Sequence, residues 1–398
     1  MIVVLAGVCA ALHVGKLPPA ITALQAALGL SLLQAGFLLS TVQLAGMSAG
    51  VAFGALADAL GYRRSMLLGL GLLALASGAG GMAQDMLSLL LLRALEGFGF
   101  LLVVLPAPGL IRRLVAPQHL SRMLGLWGTY MPFGAALALL IGPVWIGAFG
   151  WRAWWWVLGA LSLAMAAGLA RAVPDATPAA GAVAPPLPWG ARLRQTLSAP
   201  GPWLVALTFA VYAGQWLAVI GFLPAIYLEA GFSGAATGLL TALAAAVNMA
   251  GNLASGRLLH GGVRPTRLLA IGFVTMALAA VAAFATVDGA SLPPALRYAA
   301  VLLFSAVGGL IPATLFALAV RLAPSEQTLS STVGWMQQWS ALGQFAGPPL
   351  VAWVASRSGG WQWTWVATAA CSLLGLLLVA RIAALLRVHK AASMLDNR

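Results

Sequence analysis

Long runs of apolar residues, separated by short polar turns, recur along almost the whole chain. An α-helix needs about 20 apolar residues to cross the hydrocarbon of a bilayer. By that length the pattern predicts twelve membrane-spanning helices, numbered here as spans 1 to 12. They cover residues 2–22, 35–57, 65–83, 87–110, 123–147, 154–172, 203–227, 235–259, 266–286, 297–319, 328–354 and 363–386. The ten-residue alternating segments of a transmembrane β-barrel do not occur, so the pattern predicts an all-α membrane protein.

One segment interrupts this pattern midway along the chain. Residues 173–200 contain six prolines, which prevent a continuous helix and favour an extended linker. The chain is therefore predicted to form a six-helix bundle over 1–172, a cytoplasmic proline-rich linker over 173–200 and a second six-helix bundle over 201–398.

The two predicted bundles resemble each other in sequence. Ala116-Pro117 and, further on, Gly142-Pro143 have counterparts in Ala323-Pro324 and Gly347-Pro348. A duplicated six-helix unit is typical of transporters, whose substrate sites lie between the halves near the middle of the membrane. We therefore expect pseudo-symmetric bundles with a site at that depth.

Composition agrees with a membrane protein and locates its charges. The chain is 62% hydrophobic and 7% charged with a mean hydropathy of +0.97, whereas about a quarter of the residues of a soluble domain are charged. The net charge of +13 could suggest a nucleic-acid partner. However, sixteen of the 21 Lys and Arg residues fall in loops on one side and three on the other. This bias predicts a multi-pass plasma (inner) membrane protein with both termini cytoplasmic. The basic excess is then expected to meet membrane lipids and no nucleic acid.

Three charged residues lie more than five residues from either end of a predicted span, namely Lys16 in span 1 and both Arg93 and Glu96 in span 4. Charge buried in hydrocarbon is costly, so such residues face a cavity, pair with each other or have a function. Counting about 1.5 Å per residue along each helix places Lys16 and Arg93 at similar heights in the membrane. Two cations against one acid indicate a pathway for a negative or neutral substrate.

Several interpretations of this group remain open from sequence. Lys16 could bind an anionic substrate, extend to the outer interface, or pair with Glu96. Arg93 and Glu96 are three residues apart and could form a structural ion pair. His13 lies on the same face of span 1 as Lys16, and Pro18-Pro19 should kink that helix. Glu96 is the candidate proton-coupling residue, together with Arg93.

Two stripes of aromatic and amide residues mark the second half of the chain. Span 7 presents Tyr212, Gln215 and Trp216, and span 11 presents Trp335, Gln338 and Trp339. Aromatic side chains that also hydrogen-bond suit a small polar ligand near the middle of the membrane. Packing between helices with amide hydrogen bonds is the alternative interpretation of both stripes.

The loop between spans 2 and 3 carries the most specific motif. It contains Gly54, Leu56, Asp58, Gly61, Arg63 and Arg64. Gly61 can adopt the positive φ of a tight turn, and the arginines can bridge to carboxylates or headgroups. This spacing resembles the signature loop of the major facilitator superfamily, with Ala59 in place of a basic residue. The resemblance implies the twelve-helix major facilitator fold and a gating role for this loop.

Span 4 adds to this resemblance. Arg93, Glu96, Gly97 and Gly99 are similar to the superfamily motif Arg-x-x-Gln-Gly-x-Gly, whose arginine is implicated in coupling. The segment from His13 through Lys16 to Pro19 resembles the cyanate and nitroimidazole transporter group, with lysine where that group commonly has arginine. Phe222-Leu223-Pro224 is also similar to that group.

These features together predict a secondary active transporter that works by alternating access. The leading substrate class is a small anion or weak acid moved with protons, as in a symporter. The alternative is a multidrug or metabolite exporter, although span 5 lacks the exporter-associated Gly-x-x-x-Gly-Pro motif. No nucleotide-binding loop motif occurs, and the four scattered histidines do not suggest a membrane enzyme. We expect no enzyme activity, no metal and no cofactor, and a monomeric protein.

Overall fold

The structure is a computed structural model. It describes all residues except 49, 51–59, 117–118, 120–122, 124–125, 175–187, 288–289 and 397–398. The described residues are almost entirely helical, which confirms the predicted all-α class. Among them, eight helical segments are long and apolar enough to cross a membrane.

The helices are numbered here in chain order. They are α1 Ile2–Gly15, α2 Ile21–Leu28, α3 Leu32–Thr41, α4 Tyr62–Gly80, α5 Met86–Val104, α6 Ala107–Leu114, α7 Tyr130–Ala172, α8 Trp189–Ser198, α9 Pro200–Glu229, α10 Gly234–Ala246, α11 Asn248–His260, α12 Pro265–Phe284, α13 Pro294–Gly308, α14 Leu310–Leu322, α15 Leu329–Ser358 and α16 Thr364–Asp396. Short 3₁₀ turns lie at Pro18–Ala20, Glu326–Thr328 and Trp361–Trp363. A two-stranded antiparallel hairpin pairs β1, Thr286–Val287, with β2, Ala290–Ser291.

The backbone bends where two of the predicted spans meet and within another. Spans 5 and 6 were predicted as separate helices, and the range α7 consists of two helical segments separated at Gly150. The φ of Gly150 is 80°, which is accessible to glycine and strained for other residues. Span 1 is divided, because α1 ends at Gly15 just before the turn Pro18–Ala20. The kink predicted from the two prolines is thereby confirmed.

The expectation of an extended linker over 173–200 is wrong for its last part. Residues Trp189–Ser198 form α8, a ten-residue helix within that range. The physical reason is composition, because these ten residues contain no proline and the prolines lie on either side of them.

The chain divides into two compact units. Unit 1 comprises Met1–Gly181, Leu217–Ala246 and Phe345–Ser356, and unit 2 comprises Ala182–Trp216, Val247–Gln344 and Arg357–Arg398. Helices α9 and α15 each contribute residues to both units.

Unit 1 is built around α1, which packs along α7 and also contacts α5. Helix α5 begins at Asp85, whose carboxylate accepts a hydrogen bond from the Ser88 backbone N–H at 2.9 Å. This bond holds the pKa of the Asp85 carboxyl below its usual value. Further along α5, a side chain at Gly97 would overlap the carbonyl oxygen of Val42. The glycine of this motif therefore permits the close approach that fixes Arg93 and Glu96 in position.

Unit 2 is organised around α12, which packs against α13, α14 and α16, while α11 packs against α13 and α14. Its interior includes the apolar side chains of Leu269, Phe273 and Met276 on α12 and of Ile311 and Leu315 on α14. Polar side chains that interrupt this interior hydrogen-bond one another, as described below.

Candidate functional site

A group of four ionisable side chains, His13, Lys16, Arg93 and Glu96, lies in the interior of unit 1 and is called here the charged cluster. All four side chains are completely buried. His13 comes from α1, Lys16 follows directly after its end, and Arg93 and Glu96 come from α5. The residues that the sequence predicted at similar heights in spans 1 and 4 are therefore brought together.

Glu96 is the centre of the charged cluster. One carboxylate oxygen accepts a hydrogen bond from the Lys16 ammonium group, and the other accepts one from Arg93 Nη1 at 2.5 Å. His13 Nδ1 is 3.8 Å from the first of these oxygens. The expected pairings of Glu96 with Arg93 and with Lys16 are both confirmed. Extension of Lys16 to the outer interface is wrong, because the pairing holds the ammonium group inside unit 1.

The Lys16 ammonium has further neutral partners. It donates to Ser77 Oγ at 2.8 Å and lies 4.6 Å from the centre of the Trp155 ring. Ser77 Oγ in turn donates to the Trp155 carbonyl oxygen at 2.7 Å. The aromatic face stabilises a desolvated cation electrostatically. Helices α4 and α7 therefore complete the environment of a charge that comes from α1.

A chain of polar side chains continues from the charged cluster along α1. The Lys16 ammonium lies 3.4 Å from His13 Nδ1, and His13 Nε2 lies 2.7 Å from Ser162 Oγ. Cys9 Sγ is 3.5 Å from the same hydroxyl. Cys9, His13 and Lys16 are spaced four and three residues apart, so they lie on one face of the helix. Ionisable and hydroxyl groups thus form a continuous hydrogen-bonded path inside unit 1.

One edge of the Arg93 guanidinium group has no hydrogen-bond partner among the described residues. Its Nη1 donates to Glu96 and to the His13 carbonyl oxygen, the latter at 2.7 Å. Its Nε and Nη2 are buried and have no hydrogen-bond partner among the described residues. These two nitrogens lie on one side of the planar guanidinium, where they form a fork that matches the two oxygens of a carboxylate. The charged cluster therefore keeps two buried donors without a partner among the described residues.

The predicted stripe on span 7 divides between two networks inside unit 2. Tyr212 Oη accepts from Asn248 Nδ2 at 3.0 Å, and Asn248 Nδ2 also donates to the Ser305 carbonyl oxygen at 2.9 Å. Trp216 Nε1 donates to Ser305 Oγ at 3.1 Å. Gln215 instead accepts from the Ser372 hydroxyl at 3.0 Å. These contacts favour the packing interpretation of Tyr212, Gln215 and Trp216.

The predicted stripe on span 11 belongs to an aromatic group in unit 2. Trp335 and Trp339 pack edge to face with each other and with Trp203, at ring-centroid separations of 4.9 to 5.9 Å. Trp335, Gln338 and Trp339 are half-buried. Within the described part of the chain, the Trp335 indole N–H has no hydrogen-bond partner. The three side chains therefore offer a partly exposed aromatic surface and one indole hydrogen-bond donor.

The predicted gating loop is described only in part. Gly54 and Asp58 lie outside the described residues. Gly61 precedes α4 with φ of 84°, as its predicted turn requires. Arg63 donates to the carbonyl oxygens of Val173 at 2.7 Å and Ala170 at 2.9 Å, at the end of α7. Arg64 is exposed. Arg63 thus contacts backbone carbonyls at a helix end.

Sequence reasoning missed the neutral members of these networks, among them Ser77, Trp155, Ser162, Asn248 and Ser305. Asn248 carried a usable signal, because an amide in the middle of an apolar span needs a hydrogen-bond partner. The serines carried none, because a serine hydroxyl inside a helix can bond to its own backbone.

Two solved membrane transporters share the overall architecture. A bacterial homologue of the human lysosomal transporter Spinster, in an inward-facing and occupied conformation, superposes with a TM-score of 0.79 at 15% identity. The match covers 96% of this chain and 95% of that one. A D-xylose-proton symporter superposes with a TM-score of 0.73 at 15% identity, covering 95% of each chain. The chain therefore shares the fold of these two proteins.

The family follows from the sequence pattern. The pattern of the Major Facilitator Superfamily matches residues 3–337, which is most of the chain. The protein belongs to the Major Facilitator Superfamily, as the loop and span 4 motifs predicted.

Two curated relatives match over a shorter stretch. The tetracenomycin C resistance and export protein of Streptomyces glaucescens is 29% identical over 117 residues, 29% of this chain. Multidrug resistance protein 3 of Bacillus subtilis (strain 168) is 31% identical over 117 residues, 28% of this chain. In each case the match covers 22% of the relative's length.

Proposed function

We propose that this superfamily member carries a small anion or weak acid across the plasma membrane and that protons drive the movement. The observation that carries the proposal is the unpaired Nε and Nη2 edge of Arg93 inside the charged cluster. A buried donor without a partner is costly, and a carboxylate that binds both nitrogens removes that cost. Both termini are proposed to be cytoplasmic, as the distribution of basic residues predicts, and the protein to be a monomer.

The charge of the cluster also favours an anionic substrate. Lys16 and Arg93 are two cations, and Glu96 is the acid that contacts both. Because charges interact strongly in a low-dielectric interior, an anion entering this group would balance the excess positive charge. The resemblance of the segment from His13 to Pro19 to the cyanate and nitroimidazole transporter group supports the same substrate class.

Glu96 is proposed as the proton-coupling residue. When its carboxylate is protonated, its attraction for Lys16 and Arg93 falls, and both cations become available to an anion. When the substrate leaves, Glu96 loses its proton and binds the cations again. Proton and anion would then move together in one alternating-access cycle. His13 would be the next titratable residue after Lys16 on the hydrogen-bonded path that leads along α1.

The stripe on span 11 is proposed as a further substrate-binding surface in unit 2. Trp335, Gln338 and Trp339 offer a half-buried aromatic surface with an unused indole donor. Such residues bind small organic molecules through stacking and a directed hydrogen bond. Tyr212, Gln215 and Trp216 are proposed to hold this part of the protein in shape.

The loop formed by Gly54, Asp58, Gly61, Arg63 and Arg64 is proposed to control the cycle from the cytoplasmic rim. The hydrogen bonds of Arg63 to the end of α7 support this role, because α7 also carries Trp155 and Ser162 of the networks around the charged cluster. A change at Asp58 should then slow transport and leave substrate binding nearly unchanged.

The alternative function is export of drugs or metabolites in exchange for protons. The two relatives, an export protein and a multidrug resistance protein, favour it. An exporter of hydrophobic cations would need a free acid, whereas Glu96 is paired with two cations in this structure. The two functions therefore differ in the sign of the charge that is carried.

The deciding experiment uses purified protein in liposomes with an imposed pH gradient. A panel of labelled small carboxylates and inorganic anions is compared with a panel of hydrophobic cations. We expect accumulation of an anion that a protonophore abolishes. Transport of hydrophobic cations alone would establish the exporter, and anion transport that ignores the pH gradient would remove proton coupling.

Two variants locate the site. Arg93→Lys keeps the charge but removes the fork, so the apparent affinity for the anion should fall about tenfold to hundredfold. Arg152→Lys is the matched control, because Arg152 also donates to a backbone carbonyl in unit 1 but lies outside the charged cluster. Glu96→Gln should exchange substrate across the membrane without accumulating it, provided that thermal unfolding shows a folded protein. Accumulation by this variant would assign coupling to another residue.

A further inference from the structure

A cleft of about 760 Å³ lies in unit 2, between the beginning of α12 and the middle of α16. The turn Gly261–Val263, Arg264 and Arg267 form one end of it. Leu376, Val379, Ala380 and Ala383 of α16 line its wall. None of these residues belongs to the charged cluster or to the aromatic group, so the cleft is separate from the transport site proposed above.

One end of the cleft is suited to an anion. Arg264 and Arg267 are exposed, and the residues that line the cleft include no Asp or Glu. Arg264 is also the N-cap residue of α12, and no side chain caps that helix. The N-terminus of a helix carries a partial positive charge, which adds to that of the two guanidinium groups. An oxyanion at this end would therefore meet three sources of positive potential.

The other end of the cleft continues into exposed apolar surface. On α12, Val274 and Leu278 follow Ala270 at intervals of four residues and are exposed. On α16, Leu377 and Leu373 precede Ala380 at intervals of three and four residues and are also exposed. These spacings keep each row on one helix face. Two apolar rows thus extend from the same cleft toward the middle of the membrane.

We propose that this cleft binds an anionic phospholipid. The phosphate contacts Arg264 and Arg267, and an acyl chain lies along the apolar rows of α12 and α16. The distribution of basic residues predicts that this end of α12 faces the cytoplasm, where anionic lipids attract basic residues. The combination of a cationic end and an apolar groove matches a molecule that is charged at one end and hydrocarbon at the other.

The charged end is tested by native mass spectrometry of the protein with equal amounts of phosphatidylglycerol and phosphatidylcholine of the same chain length. Wild type should retain phosphatidylglycerol preferentially. Each basic contact near a membrane surface contributes enough to change binding about fivefold, so Arg264→Gln with Arg267→Gln should weaken retention about thirtyfold. The control pair, Arg381→Gln with Arg387→Gln, removes two exposed arginines of α16 outside the cleft. An equal loss of phosphatidylglycerol retention in the control pair would contradict the proposed binding site.

The apolar end has its own test. Ala380→Trp places a large side chain in the cleft and should lower phosphatidylglycerol retention, whereas Ala384→Trp, on an exposed position outside it, should not. Inorganic phosphate added in excess should not displace the bound lipid. Displacement by phosphate, or equal retention by both tryptophan variants, would show that the hydrocarbon chain is not bound there. These readouts do not depend on transport activity.

Discussion

The polar interiors of the two units differ in kind. In unit 1 the buried network is ionic, with Glu96 between Lys16 and Arg93. In unit 2 it is neutral, with Asn248 bound to Tyr212 and to the Ser305 carbonyl oxygen. All fully buried charged side chains of the described residues belong to unit 1. An ionic network can change its pairing when a proton or an anion arrives, whereas a neutral network holds one arrangement.

The two kinds of network also respond differently when one member is lost. Removing one partner of a buried ion pair leaves an uncompensated charge and costs about 3–5 kcal/mol. A neutral hydrogen bond between membrane helices contributes about 0.6 kcal/mol, and at most roughly 1.7 kcal/mol. Sensitivity to single substitutions should therefore separate unit 1 from unit 2.

The largest expected effect is that of Glu96→Ala. It leaves Lys16 and Arg93 buried without an acid, and the free energy of unfolding should fall by about 3–5 kcal/mol. Thermal unfolding of the purified protein in detergent measures this loss. Glu326→Ala is the control, because Glu326 is exposed, and it should leave the melting temperature nearly unchanged.

A companion variant tests whether uncompensated charge causes the loss of stability in Glu96→Ala. Replacing Lys16, Arg93 and Glu96 together by Met, Met and Leu removes the ion pairs as a set. This triple variant should be more stable than Glu96→Ala, since no charge is left without a partner. It should also lose transport completely. A triple variant less stable than the single one would mean that side-chain packing, not charge, holds this region together.

An intermediate effect is expected in unit 2 for Asn248→Leu. The substitution removes the side-chain hydrogen bonds to Tyr212, Ser305 and Asn252 and puts an apolar side chain of similar size in place of the amide. We expect a loss of about 1–3 kcal/mol, because Tyr212 and a carbonyl oxygen lose a buried partner. The same unfolding assay measures it, with Gln337→Leu, at an exposed position of α15, as the control. A loss as large as that of Glu96→Ala would erase the distinction between the units.

The smallest effect is expected for the bond between Ser372 and Gln215. A double-mutant cycle with Gln215→Leu and Ser372→Ala should give a coupling energy of about 0.6 kcal/mol. Transport affinity should be the same in all four proteins if Gln215 is structural. A substrate affinity that changes with Gln215→Leu but not with Ser372→Ala would return Gln215 to the binding site.

The pairing within unit 1 could be predicted from sequence because charges inside apolar spans are few. With Lys16, Arg93 and Glu96 at similar depth, pairing was one of a small set of outcomes. The stripe on span 7 was harder, because Gln215 and Trp216 are adjacent and point about 100° apart around the helix. That angle is wide enough for them to reach different helices, and only tertiary packing decides which.

The break in α1 has a consequence for how the protein is made. Two carbonyl oxygens near the break, those of His13 and Lys16, accept hydrogen bonds from Arg93 and from the Trp154 indole. This segment therefore depends on partners synthesised about 80 and 140 residues later. At roughly 5–20 residues per second, Trp154 emerges on the order of ten seconds after the segment that needs it. Until then these carbonyl oxygens lack their side-chain partners, which makes this interval a vulnerable stage in the synthesis of the protein.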